Sequence, residues 1–114
     1  MNNCIFCKII KGEIPSKIVH KEEDFIVFHD INPKAPVHVL IVPVKHIESL
    51  RRIEEKDGRM ITRLMLSIRK IAEKLGITDG YKVVINNGPS SGQIVFHLHI
   101  HLLGGWKKLV KWEV

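Results

Sequence analysis

A single long amphipathic stretch, from Asp57 to Gly76, stands among runs with the composition of strands, and that imbalance restricts the fold. Ile61, Leu64, Met65, Ile68, Ile71, Ala72 and Leu75 recur at steps of three and four, which predicts a helix with one buried face. Arg63, Lys70 and Lys74 fall elsewhere on its surface and read as a solvated cationic face. Before it, "KIVHKE" and "DFIVFHD" read as a hairpin, and "VHVLIVPV" as a strand whose Pro43 marks an edge or a terminus. After it come "YKVVIN" and a last strand over residues 94–103. Residues 4–11, "CIFCKIIK", predict a short helix stopped by Gly12 and Pro15. One long helix among about five strands favours an α+β fold, an antiparallel sheet covered on one face, over a parallel α/β arrangement.

The 114 residues, 45% of them hydrophobic, suit one domain spanning 1–114, and no repeat, low-complexity tract or linker divides it. The N-terminus has no basic-then-apolar leader, and apolar runs such as Val39 to Val42 are too short to cross a membrane. We therefore expect a cytoplasmic protein. A net charge of +6 favours anionic ligands, but the cations are scattered; phosphate-bearing small molecules account for the charge. With 6% aromatics and no recognition motif, nucleic acid is the weaker reading.

The stretch "HLHIHLLGG", residues 97–105, places histidines at every second position. On an extended strand His97, His99 and His101 share one face, while Phe96, Leu98, Ile100 and Leu102 take the core face. The outer two Cα atoms then lie roughly 13 Å apart at about 3.3 Å per residue, so the three do not close on one ion. Two of them can ligate a metal. Alternatively, a histidine acts as nucleophile at phosphorus, and a neighbouring imidazole hydrogen-bonds a phosphate oxygen or protonates the leaving group. Upstream, Gly88, Ser90, Ser91 and Gly92 make a loop whose backbone N–H groups can approach a phosphate, with Gln93 as a side-chain donor; a plain hairpin turn is the alternative.

These residues resemble the histidine triad family, with its pattern His-x-His-x-His followed by apolar residues. The likeness extends through "CIFCKIIKGEIPSKIV", "DFIVFHDINPKAPVHVLIVPVKHI" and "NNGPSSGQ", and points to the nucleotide-binding, phosphoramidase-type branch. The resemblance implies homodimers, each subunit with a five-stranded antiparallel sheet and two helices, the paired sheets running continuously. It implies binding of purine nucleoside monophosphates and cleavage of nucleotidyl phosphoramidates, esters or anhydrides at the α-phosphorus, with no metal or organic cofactor in the chemistry. His99 would be the nucleophile that becomes nucleotidylated, His101 would contact the phosphate and assist the leaving group, and the carbonyl of His97 would orient His99. Asp30 would hold the ribose hydroxyls, with Phe28, His29 and Ile31 lining the base and sugar pocket; Asn86, Gly92 and Gln93 would sit near the phosphate. Many relatives carry a serine or threonine after the glutamine. Here Ile94 stands there, removing a side-chain donor and leaving a backbone N–H, which slows turnover or alters leaving-group preference. Two rival readings follow: a nucleotide-sensing or partner-binding module that barely turns over, and a dinucleoside polyphosphate hydrolase.

Cys4 and Cys7 are the only cysteines. A C-x-x-C pair is half of a zinc site, although buried hydrophobes or a redox pair have the same spacing. In relatives that keep the pair, the resemblance implies a structural zinc on both cysteines, the "KHI" histidine and the first triad histidine: here Cys4, Cys7, His46 and His97. His20 and His38 read as surface or packing residues. Trp106 and Trp112 either shape substrate choice from a tail near the partner subunit's site or pack the interface.

Overall fold

The computed structural model describes residues 3–111; Trp112 lies outside them. Helix α1 (Ile5–Ile10) is capped by the Cys4 thiol, which accepts from the Cys7 N–H. Strands β1 (Ile18–Lys21) and β2 (Phe25–His29) form the expected hairpin, and β3 (Val37–Pro43) follows, with Pro43 as its last residue. Helix α2 (Gly58–Leu75) leads to β4 (Tyr81–Val84) and β5 (Ile100–Gly104). The sheet order is β1-β2-β3-β5-β4, and every pairing is antiparallel. This is the α+β architecture expected from one long and one short helix. No helix of the described residues is long and apolar enough to cross a membrane.

Helix α2 starts where periodicity predicts. Glu54 and Asp57 cap each other's backbone across the 3₁₀ turn Glu55–Asp57 that precedes it. It ends at Gly76, whose φ of 70° is the left-handed cap that glycine supplies without strain. Leu64, Ile68, Ile71 and Ala72 pack on Phe25, Val27, Val39, Ile41, Ile100 and Leu102, each full burial of a large side chain contributing about 1.5–3 kcal/mol. Met65, expected on the buried face, is exposed, and Ser67 is buried instead, bonding the Leu64 carbonyl. Arg63 is not merely solvated: it ion-pairs with Glu22 and Asp24 in the β1–β2 turn. After the helix the chain runs so close to β5 that a Cβ on Gly104 would meet Ile77 Cβ at 3.0 Å and the Gly80 carbonyl at 3.1 Å, so a side chain there would have to push its neighbours back by a few tenths of an ångström.

The sheet is covered on both faces, not one. On the side away from α2, Phe6 of α1 packs with Ile26, Phe28, Leu40 and Val42, and Ile9, Ile10 and Val95 close the edges. This second core explains why β2 and β3 are apolar on both faces, and it roofs the histidine side of β5.

The last strand is shorter than the composition of residues 94–103 predicts. Regular pairing begins only at Ile100, opposite Ile41, and the chain bends over residues 95–97. The Leu98 N–H goes to the Ile47 carbonyl, so a loop carbonyl takes the bond that a longer ladder would have used. Phe96 turns out of the core with 45% of its surface exposed, whereas Leu98, Ile100 and Leu102 stay buried.

Candidate functional site

The three histidines therefore straddle the bend, His97 within it and His101 in β5, and the face they share is largely enclosed. His97 has no exposed surface. Its Nε2–H donates to the Pro43 carbonyl at 2.8 Å; a carbonyl can only accept, so Nδ1 of the neutral ring carries the lone pair. Burial holds the ring neutral by lowering its pKa to about 4. That bare Nδ1 faces Cys4 Sγ at 3.3 Å, Cys7 Sγ at 3.5 Å and His46 Nδ1 at 3.1 Å, and Cys7 Sγ lies 3.4 Å from His46 Nδ1. All four donor atoms lie within 4.8 Å of one another.

A tetrahedral zinc, with bonds of about 2.3 Å to sulfur and 2.0–2.1 Å to nitrogen, sets edges of roughly 3.3–3.8 Å between its donors. The four separations given above, 3.1–3.5 Å, come close to that frame. The bond from His97 to a backbone carbonyl is also what a metal-ligating imidazole makes with its second nitrogen. Burial pushes the Cys4 thiol up, and a divalent cation is the charge that reverses such a shift. A cleft of about 420 Å³, lined by Cys4, Ile5, His46, Ile94, Val95 and Phe96, opens beside this cluster.

His99 faces the other way along the chain. Its Nδ1–H donates to the His97 carbonyl at 2.7 Å, which leaves Nε2 unprotonated. The ring is 7% exposed and stands edge-on to Phe6, with centroids 5.0 Å apart. Burial lowers its pKa, opposed by the carbonyl bond and by Asp30. His101 sits beside it at 4.9 Å between centroids, its pKa lowered to about 4, first by burial and then by His99 and His38.

His38, read from the sequence as a surface or packing residue, is the site residue that reading missed. It is 4% exposed, and its Nε2 lies 2.9 Å from His101 Nδ1 and 3.5 Å from Asp30 Oδ2. Leu40 pairs with His101 across β3 and β5, so His38, two residues back on the same face, is the diagonal neighbour within reach of a ring. Asp30, His38 and His101 also present three potential ligand atoms within 4.8 Å. However, the Lys34 backbone N–H donates to His38 Nδ1 at 3.0 Å. The proton of neutral His38 is thereby on Nε2, the atom a cation would need bare.

Asp30 follows β2 and accepts the Asn32 N–H at 2.8 Å through Oδ1, so it serves its turn as well as facing His38. Phe28 is buried against Phe6, while His29 and Ile31 are exposed beside Asp30. In the loop around the 3₁₀ turn Pro89–Ser91, Asn86 Nδ2 donates to the Ser91 carbonyl. Gln93 is buried; its oxygen accepts the Gly88 N–H, and its amide donates to the carbonyls of Glu48 and Val95. That amide, expected to be a phosphate donor, ties the loop to the segment after His46. Gly92 closes the turn at a φ of 96°, and Ile94 is 85% exposed.

The family model described as the HIT domain matches residues 11–108. The chain belongs to the HIT, or histidine triad, family. The chain is 45% identical over 104 residues to Protein HitA of Neisseria gonorrhoeae, covering 91% of this chain and 97% of that protein. It is 48% identical over 103 residues to the 14 kDa zinc-binding protein of Zea mays, covering 89% of this chain and 80% of the maize protein. A solved HIT family hydrolase from Clostridium thermocellum superposes with a TM-score of 0.92 at 47% identity, covering 98% of both chains. The HIT fold seen there is the one described above.

Proposed function

We propose that this HIT-family chain is a nucleotidyl hydrolase or transferase. It takes purine nucleoside 5′-monophosphate derivatives and cleaves phosphoramidates, or related esters and anhydrides, at the α-phosphorus through a covalent nucleotidyl-His99. One observation carries the reading: the His97 carbonyl holds the proton of His99 on Nδ1 and leaves Nε2 as a lone pair. Nε2 forms a bond to phosphorus, the bond to the leaving atom breaks with its electron pair, and an amine leaving group takes up one proton from solvent. Water then attacks phosphorus, the N–P pair returns to Nε2, and the water's surplus proton replaces the one consumed. While nucleotidylated, the ring is a cation, and the carbonyl 2.7 Å from Nδ1 stabilises it through a charge-assisted bond. His101 contacts the phosphoryl oxygens. Asp30 takes the ribose hydroxyls, Phe28, His29 and Ile31 border the base and sugar, and Asn86, Gly92, Gln93 and Ile94 lie toward the phosphate.

Cys4, Cys7, His46 and His97 would hold a structural zinc that ties α1 to the end of β3 and supplies no chemistry to the reaction. The maize relative, named for zinc binding, supports this assignment. A homodimer fits β4, an edge strand of the sheet among the described residues, where Tyr81 and Val83 are exposed, and the exposed Met65 and Leu66 of α2. The exposed Ile94 favours a second reading, a nucleotide-sensing module with weak turnover.

Hydrolysis of adenosine 5′-phosphoramidate decides between them. His99→Ala is expected to lower kcat by about 10³-fold or more while AMP affinity stays within about threefold. Wild-type turnover in that variant overturns the covalent mechanism. Saturable AMP binding by the wild type, with neither turnover nor labelling by adenylate, favours the module, and a preference for dinucleoside polyphosphates in the same assay redirects the substrate assignment.

A further inference from the structure

We infer that His38 is a positioning residue that orients His101 and sets its tautomer, so that His101 offers Nε2–H to the phosphoryl group as a fixed hydrogen-bond donor. The role in phosphoryl recognition rests on the function proposed above; the tautomer assignment does not. The argument starts from a backbone amide. The Lys34 N–H can only donate, and it points at His38 Nδ1 from 3.0 Å, so that nitrogen is bare. His38 is buried and its pKa is lowered by that burial, against the pull of Asp30, so the ring is neutral and its one proton is on Nε2. The nearer acceptor is His101 Nδ1 at 2.9 Å, with Asp30 Oδ2 at 3.5 Å. Accepting there leaves His101, also neutral, with its proton on Nε2. The reverse direction would set an Nδ1–H of His38 against the Lys34 N–H, donor against donor.

The starting point is held firmly. The turn that carries Lys34 is closed by the Asn32 N–H on Asp30 Oδ1 and by the Asp30 N–H on the His38 carbonyl, and Pro33 and Pro36 fix two of its φ angles. The result is complementary polarity on adjacent rings: His99 presents a lone pair from Nε2, and His101 presents a hydrogen from Nε2. A nucleophile and a donor to the developing oxyanion are what attack at phosphorus needs. His101 gives a hydrogen bond and keeps its proton, so the proton balance stated above is unchanged.

Nitrogen-15 NMR of the ligand-free protein tests the wiring directly. The expected signature is a bare Nδ1 and protonated Nε2 on both His38 and His101, with scalar coupling across the bond from His38 Nε2 to His101 Nδ1. A protonated Nδ1 on His101 overturns the inference, whatever the enzyme does. In adenosine 5′-phosphoramidate turnover, His38→Phe is expected to lower kcat about tenfold with KM within about threefold, because a donor made in the transition state loses its aim. His38→Gln, whose amide can donate where Nε2 did, is expected to recover kcat to within about threefold of wild type. Equal loss in both variants overturns the positioning role. Expected NMR signatures with no turnover in the wild type sink the proposed reaction and leave the tautomer assignment standing.

Discussion

Two neighbouring groups of side chains share the segment from His97 to His101, and they are built on opposite plans. Around His97 the donor atoms converge: two thiols and two imidazole nitrogens crowd one point. Around His101 they are strung in line, Lys34 N–H to His38 to His101, each nitrogen answering the next with opposite polarity. Convergent lone pairs suit a cation, whereas alternating donors and acceptors leave no vacancy for one. Histidine content alone does not distinguish the two, since both are rich in imidazoles within 4.8 Å; the placement of each proton does.

The sharpest way to break this contrast is to take away the metal. We expect one zinc per chain by elemental analysis, and its removal by a chelator, or Cys7→Ser, to lower the melting temperature by roughly 10 °C or more, since metal affinity is coupled to folding. His101→Phe should leave zinc content unchanged. Equal zinc in wild type and Cys7→Ser would show that the two clusters do not differ as described.

Acid should act through His101 as well as through the buried His97, whose pKa burial lowers alike. His101 titrates near 4 in the folded chain and His38 is also lowered, against about 6.5 for unfolded histidine. Above pH 6.5 both states are neutral and the stability is fully present. Between 6.5 and 4 the unfolded chain takes up protons that the folded chain refuses, so stability falls with pH, on the order of 2 kcal/mol for His101. Urea unfolding at pH 7.5 and 4.5 measures this, and His101→Phe should reduce the slope, the share of His97 and His99 remaining; an unchanged slope refutes the assignment to His101.

The smallest effect belongs at the rim. Ile94→Ser places a hydroxyl directly after Gln93, and we expect phosphoramidate turnover to rise about tenfold, one charge-assisted hydrogen bond of about 1.5 kcal/mol. No change would mean that the backbone there already does the work.

Much of this could be read from local pattern. The three-and-four spacing of Leu64, Ile68, Ile71 and Ala72 located α2, Gly76 located its end, and strict alternation put Leu98, Ile100 and Leu102 opposite His99 and His101. Local pattern failed where a distant partner decides. Residues 94–99 have strand composition, yet the Ile47 carbonyl and the buried Gln93 amide hold them in a bend. His38 has no motif of its own; only the pairing of Leu40 with His101 brings it to the site, and register between strands some 60 positions apart is set by tertiary packing. Roofing by Phe6 was missed for the same reason: a six-residue helix says nothing of the face it will cover.

The three bonds that assign protons to His97, His99 and His38 all end on main-chain atoms: the carbonyls of Pro43 and His97 and the amide of Lys34. Main-chain atoms survive substitution. Evolution can exchange the side chain at position 34 for any residue but proline, or vary position 43 within what a strand end tolerates, and the imidazoles inherit the same instructions. The pocket's walls are thus free to drift toward new ligands while the electronic layout at its centre is passed on intact.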